Sequence, residues 1–259
     1  MAGNEYWNSE LEGFIRYFAR YADWLPERIK GLPESRISNL EELIGQPLPP
    51  EYRAFLKLMG DTPKNALNPF LEYVSFGAQE VERIHALENF IPPRQLVYLW
   101  TYDCDAPYDI FLETQGAQRA ARSLWQAGWS IDENTGGILP EPLDFVPLGG
   151  TLMQYLYKDA FLKLRGPLLP HKALLGDFDG SEPTEEAQNS LIEKFVTVAE
   201  KLGFLAVPHA GKKLMFFNRS DAALELFENP GANSFYVRAA SDSELKKLSK
   251  TLADELGVG

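Results

Sequence analysis

Residues Ile37 to Asp61 constrain the fold more than any other part of the chain, because they specify two helices joined by a fixed turn. The segment reads ISNLEELIGQPLPPEYRAFLKLMGD, and its first apolar residues recur at helical spacing up to Gly45. A glycine at this place is typical of a helix C-cap with positive φ, and the pair Pro49-Pro50 then starts a second helix. The segment therefore predicts two short helices that meet at an elbow.

The second helix has one apolar face and one charged face. Apolar side chains recur at i, i+3, i+4 and i+7, and charged side chains fall between them. The apolar set is Tyr52, Phe55, Leu56 and Met59, and the set predicted to face solvent is Glu51, Arg53 and Lys57. We expect the apolar set to enter the core of the domain.

The same segment carries a resemblance to a known family. Its pattern is an Ile-x-x-Leu-Glu helix, a glycine, a Leu-Pro pair, and a Tyr-x-x-Phe-Leu helix followed by glycine. In this chain the positions are Ile37, Leu40, Glu41, Gly45, Leu48, Pro49, Tyr52, Phe55, Leu56 and Gly60. With them, residues 34–165 resemble the SUKH superfamily, which includes Smi/Knr-type cell-wall synthesis regulators. The resemblance implies helices packed on a small, mostly antiparallel sheet, and it does not cover the C-terminal part.

Composition indicates a folded chain in a reducing compartment. Of 259 residues, 45% are hydrophobic, which is enough for packed cores. No apolar run is long enough to span a membrane, and the N-terminus lacks the basic and apolar regions of a signal peptide. The only cysteine, Cys104, excludes an internal disulfide. We therefore predict a cytoplasmic protein.

The chain is strongly acidic, with a net charge of −12. Residues 1–165 contain 15 basic and 23 acidic side chains, a net charge of −8. Such a balance disfavours binding to nucleic acid or to an anionic membrane and favours a basic protein partner. Solubility alone would also account for it.

The sequence predicts an α+β protein of two domains. The first, residues 1–165, begins with an amphipathic helix from Glu5 to Leu25, and residues 166–183 are predicted to be a Gly- and Pro-rich linker. Residues 184–259 are predicted to form a smaller domain with the order α-β-β-α-β-α. Its predicted elements are helix Thr184–Leu202, strands Phe204–Pro208 and Lys213–Asn218, helix Ser220–Phe227, strand Ser234–Ala240 and helix Asp242–Leu256. Ser241 is predicted to cap the last helix.

One hairpin carries the candidate binding residues. Two β-rich runs, Gln95–Tyr102 and Tyr108–Thr114, are joined by a polar tip. The aromatic and acidic side chains around this tip are Trp100, Tyr102, Asp103, Asp105, Tyr108 and Asp109. They form either a solvated turn or a surface on which aromatic side chains anchor, and carboxylates attract, a basic partner. A calcium loop is the weaker alternative, because the glycine and the final glutamate of the EF-hand pattern are missing.

The sequence contains few side chains in patterns that are typical of a catalytic site. The three histidines, His85, His171 and His209, have no metal-ligand spacing, and no phosphate-binding glycine motif occurs. His209 is predicted at a turn, where it could contact an anion together with the adjacent Lys212 and Lys213. We therefore predict no catalytic residue, no metal site and no cofactor.

The resemblance implies a non-enzymatic binding module, which in bacteria is frequently an immunity protein that neutralises a toxin. A basic, nuclease-like toxin would suit the acidic charge of the chain. A cell-wall regulatory scaffold is the alternative within the superfamily. An enzyme or small-ligand binder is the alternative from another class, with its site in a cleft between the predicted domains near His171 and the segment 177–179.

Overall fold

The computed structural model describes residues 2–67, 74–86, 92–102, 108–115, 122–128, 144–175, 185–209, 211, 214–229 and 232–257. It divides into two compact units, Met1–Tyr155 and Leu156–Gly259. Helices and antiparallel sheets make up both units, so the predicted α+β class is confirmed. None of the helices within the ranges just given is long and apolar enough to cross a membrane.

The first unit begins with helices. They are α1 Ala2–Ala19, α2 Leu25–Arg28, α3 Glu34–Ile44, α4 Pro50–Met59 and α5 Ala78–His85. The leading helix is shorter than the predicted range, because α1 ends at Ala19 and Pro26 lies in the first turn of α2. Proline suits a first turn, where its missing N–H removes no helical hydrogen bond.

The two helices of the elbow form as predicted. Gly45 follows α3 with φ of 77°, and its N–H donates to the carbonyl oxygens of Glu41 and Glu42. The apolar face of α4 is fully buried. Glu51, however, was predicted to face solvent and is buried, because its carboxylate pairs with Arg122 at 2.5 Å. Arg122 lies 71 residues further along the chain, so the pattern of α4 alone contains no sign of this pairing.

The first sheet is antiparallel throughout, in the order β1-β2-β3-β4-β5. Its strands are β1 Val74–Phe76, β2 Leu96–Tyr102, β3 Tyr108–Glu113, β4 Leu124–Gly128 and β5 Phe145–Pro147. Helix α4 packs on it, with the ring of Phe55 beside Trp100 and the hydroxyl of Tyr52 donating to the Leu99 carbonyl. The predicted β2–β3 hairpin is thus confirmed, and its tip, 103–107, lies outside the described residues.

Helix α6, Leu152–Ala160, contains the division between the units and continues into a π-helical turn, Phe161–Arg165. The second unit then adds strand β6 His171–Leu175, helix α7 Glu185–Lys201, strands β7 Leu205–Ala206, β8 Leu214–Asn218, β9 Ala222–Asn229 and β10 Ala232–Ala239, and helix α8 Asp242–Leu256. Its strands form one antiparallel sheet in the order β6-β10-β9-β8-β7.

The core of the second unit lies on one face of this sheet. Side chains of α7 and α8, such as Phe195 and Leu252, pack there against Leu224, Phe235 and other alternate residues of the strands. The remaining alternate residues point to the opposite face. Part of that opposite face is covered by the π-helical turn, where the rings of Phe161 and Phe216 lie 4.9 Å apart.

Two predictions for the second half are wrong. The predicted helix Ser220–Phe227 is strand β9, which pairs along its length with β8 and β10. The run Ala-Ala-Leu-Glu-Leu has high helix propensity, but packing between two strands overrides that weak preference. The predicted linker 166–183 contains β6, which forms the edge of the sheet, so the order α-β-β-α-β-α does not hold.

Neighbouring residues cap both ends of the last helix, α8. The Ser241 hydroxyl accepts a hydrogen bond from the Glu244 N–H, which confirms the predicted cap, and Gly257 ends α8 in the left-handed conformation. Arg219 joins three parts of the unit, because its guanidinium donates to Asp221, to Glu244 and to the Leu202 carbonyl oxygen at the end of α7.

Candidate functional site

The end of the β2–β3 hairpin next to residues 103–107 places two predicted binding residues side by side. Tyr102 and Tyr108 are direct partners across the two strands. Their rings are stacked, with centroids 5.0 Å apart and planes inclined by 27°, and both side chains are half-buried. The structure therefore brings these two candidates together as one aromatic surface, which we call the tyrosine pair.

Of the other four candidates, two are buried away from this surface and two lie outside the described residues. Trp100 is only 2% exposed and Asp109 is fully buried, so neither is presented to a partner. Trp100 packs on Phe55 of α4, because the inner face of β2 needs a large apolar side chain there. Asp103 and Asp105 lie outside the described residues. The predicted binding role stays a prediction for the tyrosine pair and does not extend to the two buried side chains.

Asp109 belongs to a directed chain of hydrogen bonds within the sheet. The Thr101 hydroxyl donates to Asp109 Oδ1 at 2.6 Å. The Tyr98 hydroxyl lies 2.8 Å from the same threonine oxygen and must then be the donor of that bond. Burial raises the pKa of Tyr98, which keeps it a donor. Thr101 and Asp109 are also direct cross-strand partners next to the tyrosine pair. These hydrogen bonds therefore restrict the two strands of the hairpin relative to each other.

A second candidate site lies on the open face of the second sheet. It is a cavity of about 470 Å³, lined by side chains of the π-helical turn and of β6, β9 and β10. Three of its lining residues are cationic, Lys163, Lys172 and Arg238, and one, Glu225, is acidic. We call this cavity the basic pocket, because its net charge of +2 opposes the acidity of the whole chain.

Glu225 is the buried centre of the basic pocket. It is 0% exposed, and its carboxylate accepts a hydrogen bond from Arg238 Nε. Lys172 Nζ lies 4.0 Å from Glu225 Oε2 and 3.8 Å from the centre of the Tyr236 ring. Burial raises the pKa of Glu225, and the two cations oppose that shift. The ring and the carboxylate together hold Lys172 at the pocket.

A further cavity, of about 400 Å³, is lined by residues from the start of α3, from the segment after α4 and from the start of α5. Its charged lining residues are Lys30, Arg36, Asp61 and Glu80, two of each sign. This balance selects no charge class of ligand, so the cavity gives no functional assignment.

The histidines do not form a site among the described residues. His85 ends α5, where burial lowers its pKa, and His171 begins β6. His209 has a positive φ of 61° and packs on the Tyr157 ring at 5.2 Å. Cys104, Lys212, Lys213 and the segment 177–179 fall outside those residues. Within the part of the chain that the structure describes, no group of three or more His, Cys, Asp or Glu side chains could hold a metal ion.

Sequence reasoning missed the basic pocket for two reasons. The predicted helix Ser220–Phe227 placed Glu225 on a helix, and the predicted linker removed Lys172 from any sheet. One signal was present in the sequence: Leu224 and Leu226 alternate with Glu225 and Phe227, which is the period of a strand. Comparison with known proteins adds no assignment, because no family model, no curated protein and no solved structure matches the chain.

Proposed function

We propose that the chain is a non-enzymatic protein-binding module of the SUKH type that neutralises a basic, nuclease-like toxin. The observation that carries the proposal is the tyrosine pair, Tyr102 and Tyr108, stacked at the end of the hairpin next to residues 103–107. Two adjacent tyrosine rings offer a flat, rigid and partly apolar surface, and tyrosine is among the residues that contribute most to protein interfaces.

The chemistry around the pair favours a basic partner. A lysine or arginine of the partner can lie over a tyrosine ring, and such a cation–π contact contributes about 0.5–1 kcal/mol at an exposed site. The acidic residues of the hairpin sequence, together with the net charge of −8 on residues 1–165, attract such a partner over longer distances. Aromatic anchoring and electrostatic attraction thus both favour a basic partner.

The buried neighbours of the pair support it mechanically. The hydrogen bonds from Tyr98 through Thr101 to Asp109 lie within the same two strands and restrict the hairpin before any partner arrives. A surface that is already ordered loses less conformational entropy on binding. In this role Asp109 positions the tyrosine pair and does not itself contact the partner.

Two features are the reason for proposing a toxin as the partner: the acidic charge of the chain and the resemblance of the elbow segment to SUKH domains. A nuclease is basic around its substrate site because it must bind phosphates. An acidic protein that covers this site competes directly with nucleic acid, and electrostatic attraction accelerates its association.

Affinity capture from native lysate tests the proposal. The bait is the full chain, compared with a Tyr102→Ala/Tyr108→Ala variant and with Tyr6→Ala, a matched control at a tyrosine that is 37% exposed on α1. We expect the wild type and the control to retain a basic protein. The double variant should bind it about tenfold or more weakly, because two aromatic anchors are lost.

Two results would contradict the proposal. If the bait retains no basic protein at low ionic strength, the proposed partner does not exist. If the double variant retains as much basic protein as the wild type, the tyrosine pair is not part of the interface. The captured protein is then assayed on nucleic acid with and without added chain. A protein that has no nuclease activity, or whose activity the chain leaves unchanged, would refute the toxin assignment and leave the binding site standing.

A further inference from the structure

Strand pairing in the second unit orders the side chains of the basic pocket from a charged end to an apolar end. At the charged end Arg238 of β10 is the cross-strand partner of Lys172 of β6. In the middle Tyr236 of β10 is the partner of Glu225 of β9, and Phe227 follows two residues further along β9. These side chains alternate with core residues, so they share the face opposite the core. Two residues of a strand span about 7 Å, which separates the rows of the pocket.

The charged end carries one positive charge more than its carboxylate can neutralise. Arg238 Nε donates a hydrogen bond to the fully buried carboxylate of Glu225, so these two charges balance each other. Lys172 then remains as a surplus cation at the same carboxylate. Lys163 also lines the cavity, but it is engaged in an interaction of its own, and the surplus does not depend on it. A single negative charge on a ligand would balance the surplus.

Lys172 makes no hydrogen bond to Glu225. Its Nζ lies 4.0 Å from Glu225 Oε2, which is beyond hydrogen-bond range, and that buried oxygen accepts no hydrogen bond from any described residue. The ammonium group lies instead over the Tyr236 ring, 3.8 Å from its centre. Lys172 can therefore turn toward a ligand without breaking a hydrogen bond to the carboxylate.

Arg238 offers fixed donors at the charged end. Its Nε is bound to Glu225, and its guanidinium lies against Gly166, where an added Cβ would be 3.4 Å from Cζ. No described residue accepts a hydrogen bond from Nη1 or Nη2 of Arg238. A guanidinium whose position is fixed in this way suits the two coplanar oxygens of a carboxylate.

The apolar end of the pocket can take the body of a ligand. Phe227 lies at this end and Leu162 of the π-helical turn also lines the cavity, and both side chains are half-buried. The rings of Phe227 and Tyr236 meet edge to face, with centroids 5.8 Å apart. The cavity of about 470 Å³ falls within the range of small-molecule sites, about 300–1,000 Å³. An aromatic ring could therefore be buried here while a charged group reaches the cations.

We propose that the basic pocket binds a small carboxylate monoanion with an aromatic body. The carboxylate lies between Lys172 and Arg238, and the aromatic body lies against Phe227. One negative charge matches the surplus of the charged end, and a carboxylate joined to a ring matches the order of the pocket. The site belongs to the second unit and the tyrosine pair to the first, so this proposal is independent of the protein-binding surface proposed above.

A titration of the full chain with benzoate, followed through amide resonances, tests the proposal. Benzamide, which has the same ring and a neutral group of similar shape, and acetate, which has the charge without the ring, are titrated in parallel. We expect saturable binding of benzoate and about tenfold or more weaker binding of benzamide, because hydrogen bonds to a charged group are stronger. Acetate should also bind more weakly, because it leaves the apolar end empty. The resonances that shift with benzoate should include those of β6, β9 and β10.

Variants assign the binding to this pocket. Lys172→Met keeps the apolar stem and removes the surplus charge, so we expect about tenfold weaker binding of benzoate and little change for benzamide. Glu225→Gln removes the opposing charge and should strengthen the binding of benzoate. Lys247→Met, at an exposed lysine of α8 outside the pocket, is the matched control and should bind benzoate as the wild type does.

The following results would overturn the proposal. Benzoate that shows no binding up to about 10 mM excludes the ligand class. Benzamide that binds as tightly as benzoate excludes recognition of the charge, and acetate that binds as tightly excludes a role for the apolar end. A Lys172→Met protein that is folded by circular dichroism and binds benzoate like the wild type places the binding elsewhere. A folded Glu225→Gln protein that binds benzoate more weakly contradicts the charge balance of the pocket.

Discussion

The buried pair of Glu51 and Arg122 connects the elbow of helices to the first sheet. The side chains are 2% and 5% exposed, and the two charged groups lie 2.5 Å apart. We expect Arg122→Met and Glu51→Leu each to lower the free energy of unfolding by about 3–5 kcal/mol, because each breaks the buried ion pair and keeps the cost of burying the remaining charge. The double variant Glu51→Leu/Arg122→Met should lie within about 1 kcal/mol of the wild type.

The geometry sets these magnitudes. At 2.5 Å and an effective dielectric constant of about 20, the attraction between two unit charges is about 7 kcal/mol. Removing both ions from water costs several kcal/mol for each ion, so the intact pair contributes little net stability. One remaining ion keeps its own desolvation cost and loses the whole attraction, which makes the single variants much less stable than the double variant.

The two single variants should also differ in their response to pH. Burial raises the pKa of Glu51 above its ordinary value, so in Arg122→Met the carboxyl can take up a proton and the destabilisation should shrink as the pH falls. Arginine cannot release its proton in this range, so the destabilisation of Glu51→Leu should change little with pH.

Tryptophan fluorescence during urea denaturation measures these effects in the first unit alone. All five tryptophans lie between residues 7 and 129, so the second unit contributes no tryptophan signal. Single variants that each lose less than about 1 kcal/mol, or a double variant that loses the sum of the two, would refute the argument from desolvation.

Two further predictions concern a helix end and a buried acid. Gly45→Ala should destabilise the first unit by about 1 kcal/mol in the same fluorescence assay, because a φ of 77° disfavours a side chain even though an added Cβ would meet no atom within 4 Å. The control Gly13→Ala, within α1, should stabilise the unit. A change of the same sign at both sites would contradict this reasoning. For Glu225, burial raises the native pKa, so its contribution to the free energy of unfolding should fall as pH rises from its ordinary pKa through the raised native value. Urea denaturation followed by circular dichroism should show a flatter pH profile for Glu225→Gln, and an unchanged profile would argue against a raised native pKa.

The elements that the sequence predicted best are those specified by neighbouring residues. The α3–α4 elbow depends on apolar spacing, on Gly45 and on two prolines, all within about 15 residues of one another. The cap at Ser241 depends on a hydrogen bond to the backbone only three residues away. Such features survive in any tertiary context that keeps the helix, so a pattern is enough to predict them.

The predictions that are wrong concern residues whose structure depends on partners far away in the sequence. Strand β9 has a helix-forming sequence, and it becomes a strand because β8 and β10 supply hydrogen-bond partners on both sides. Glu51 looks solvent-exposed on its own helix, and it is buried because Arg122 arrives from another part of the chain. Trp100 and Asp109 resembled surface residues near a tip, but the packing of α4 and the hydrogen bond from Thr101 place them inside.

By itself the sequence determined the α+β class, the two helices of the elbow, the β2–β3 hairpin and the acidic charge, because each follows from local spacing or from composition. Only the tertiary structure decided which charged side chains are buried and which meet. The stacking of Tyr102 on Tyr108 required the register of two strands, and the basic pocket required three strands and a helical turn on one face. Side chains far apart in sequence come together through strand pairing and burial, and no local pattern specifies those partners.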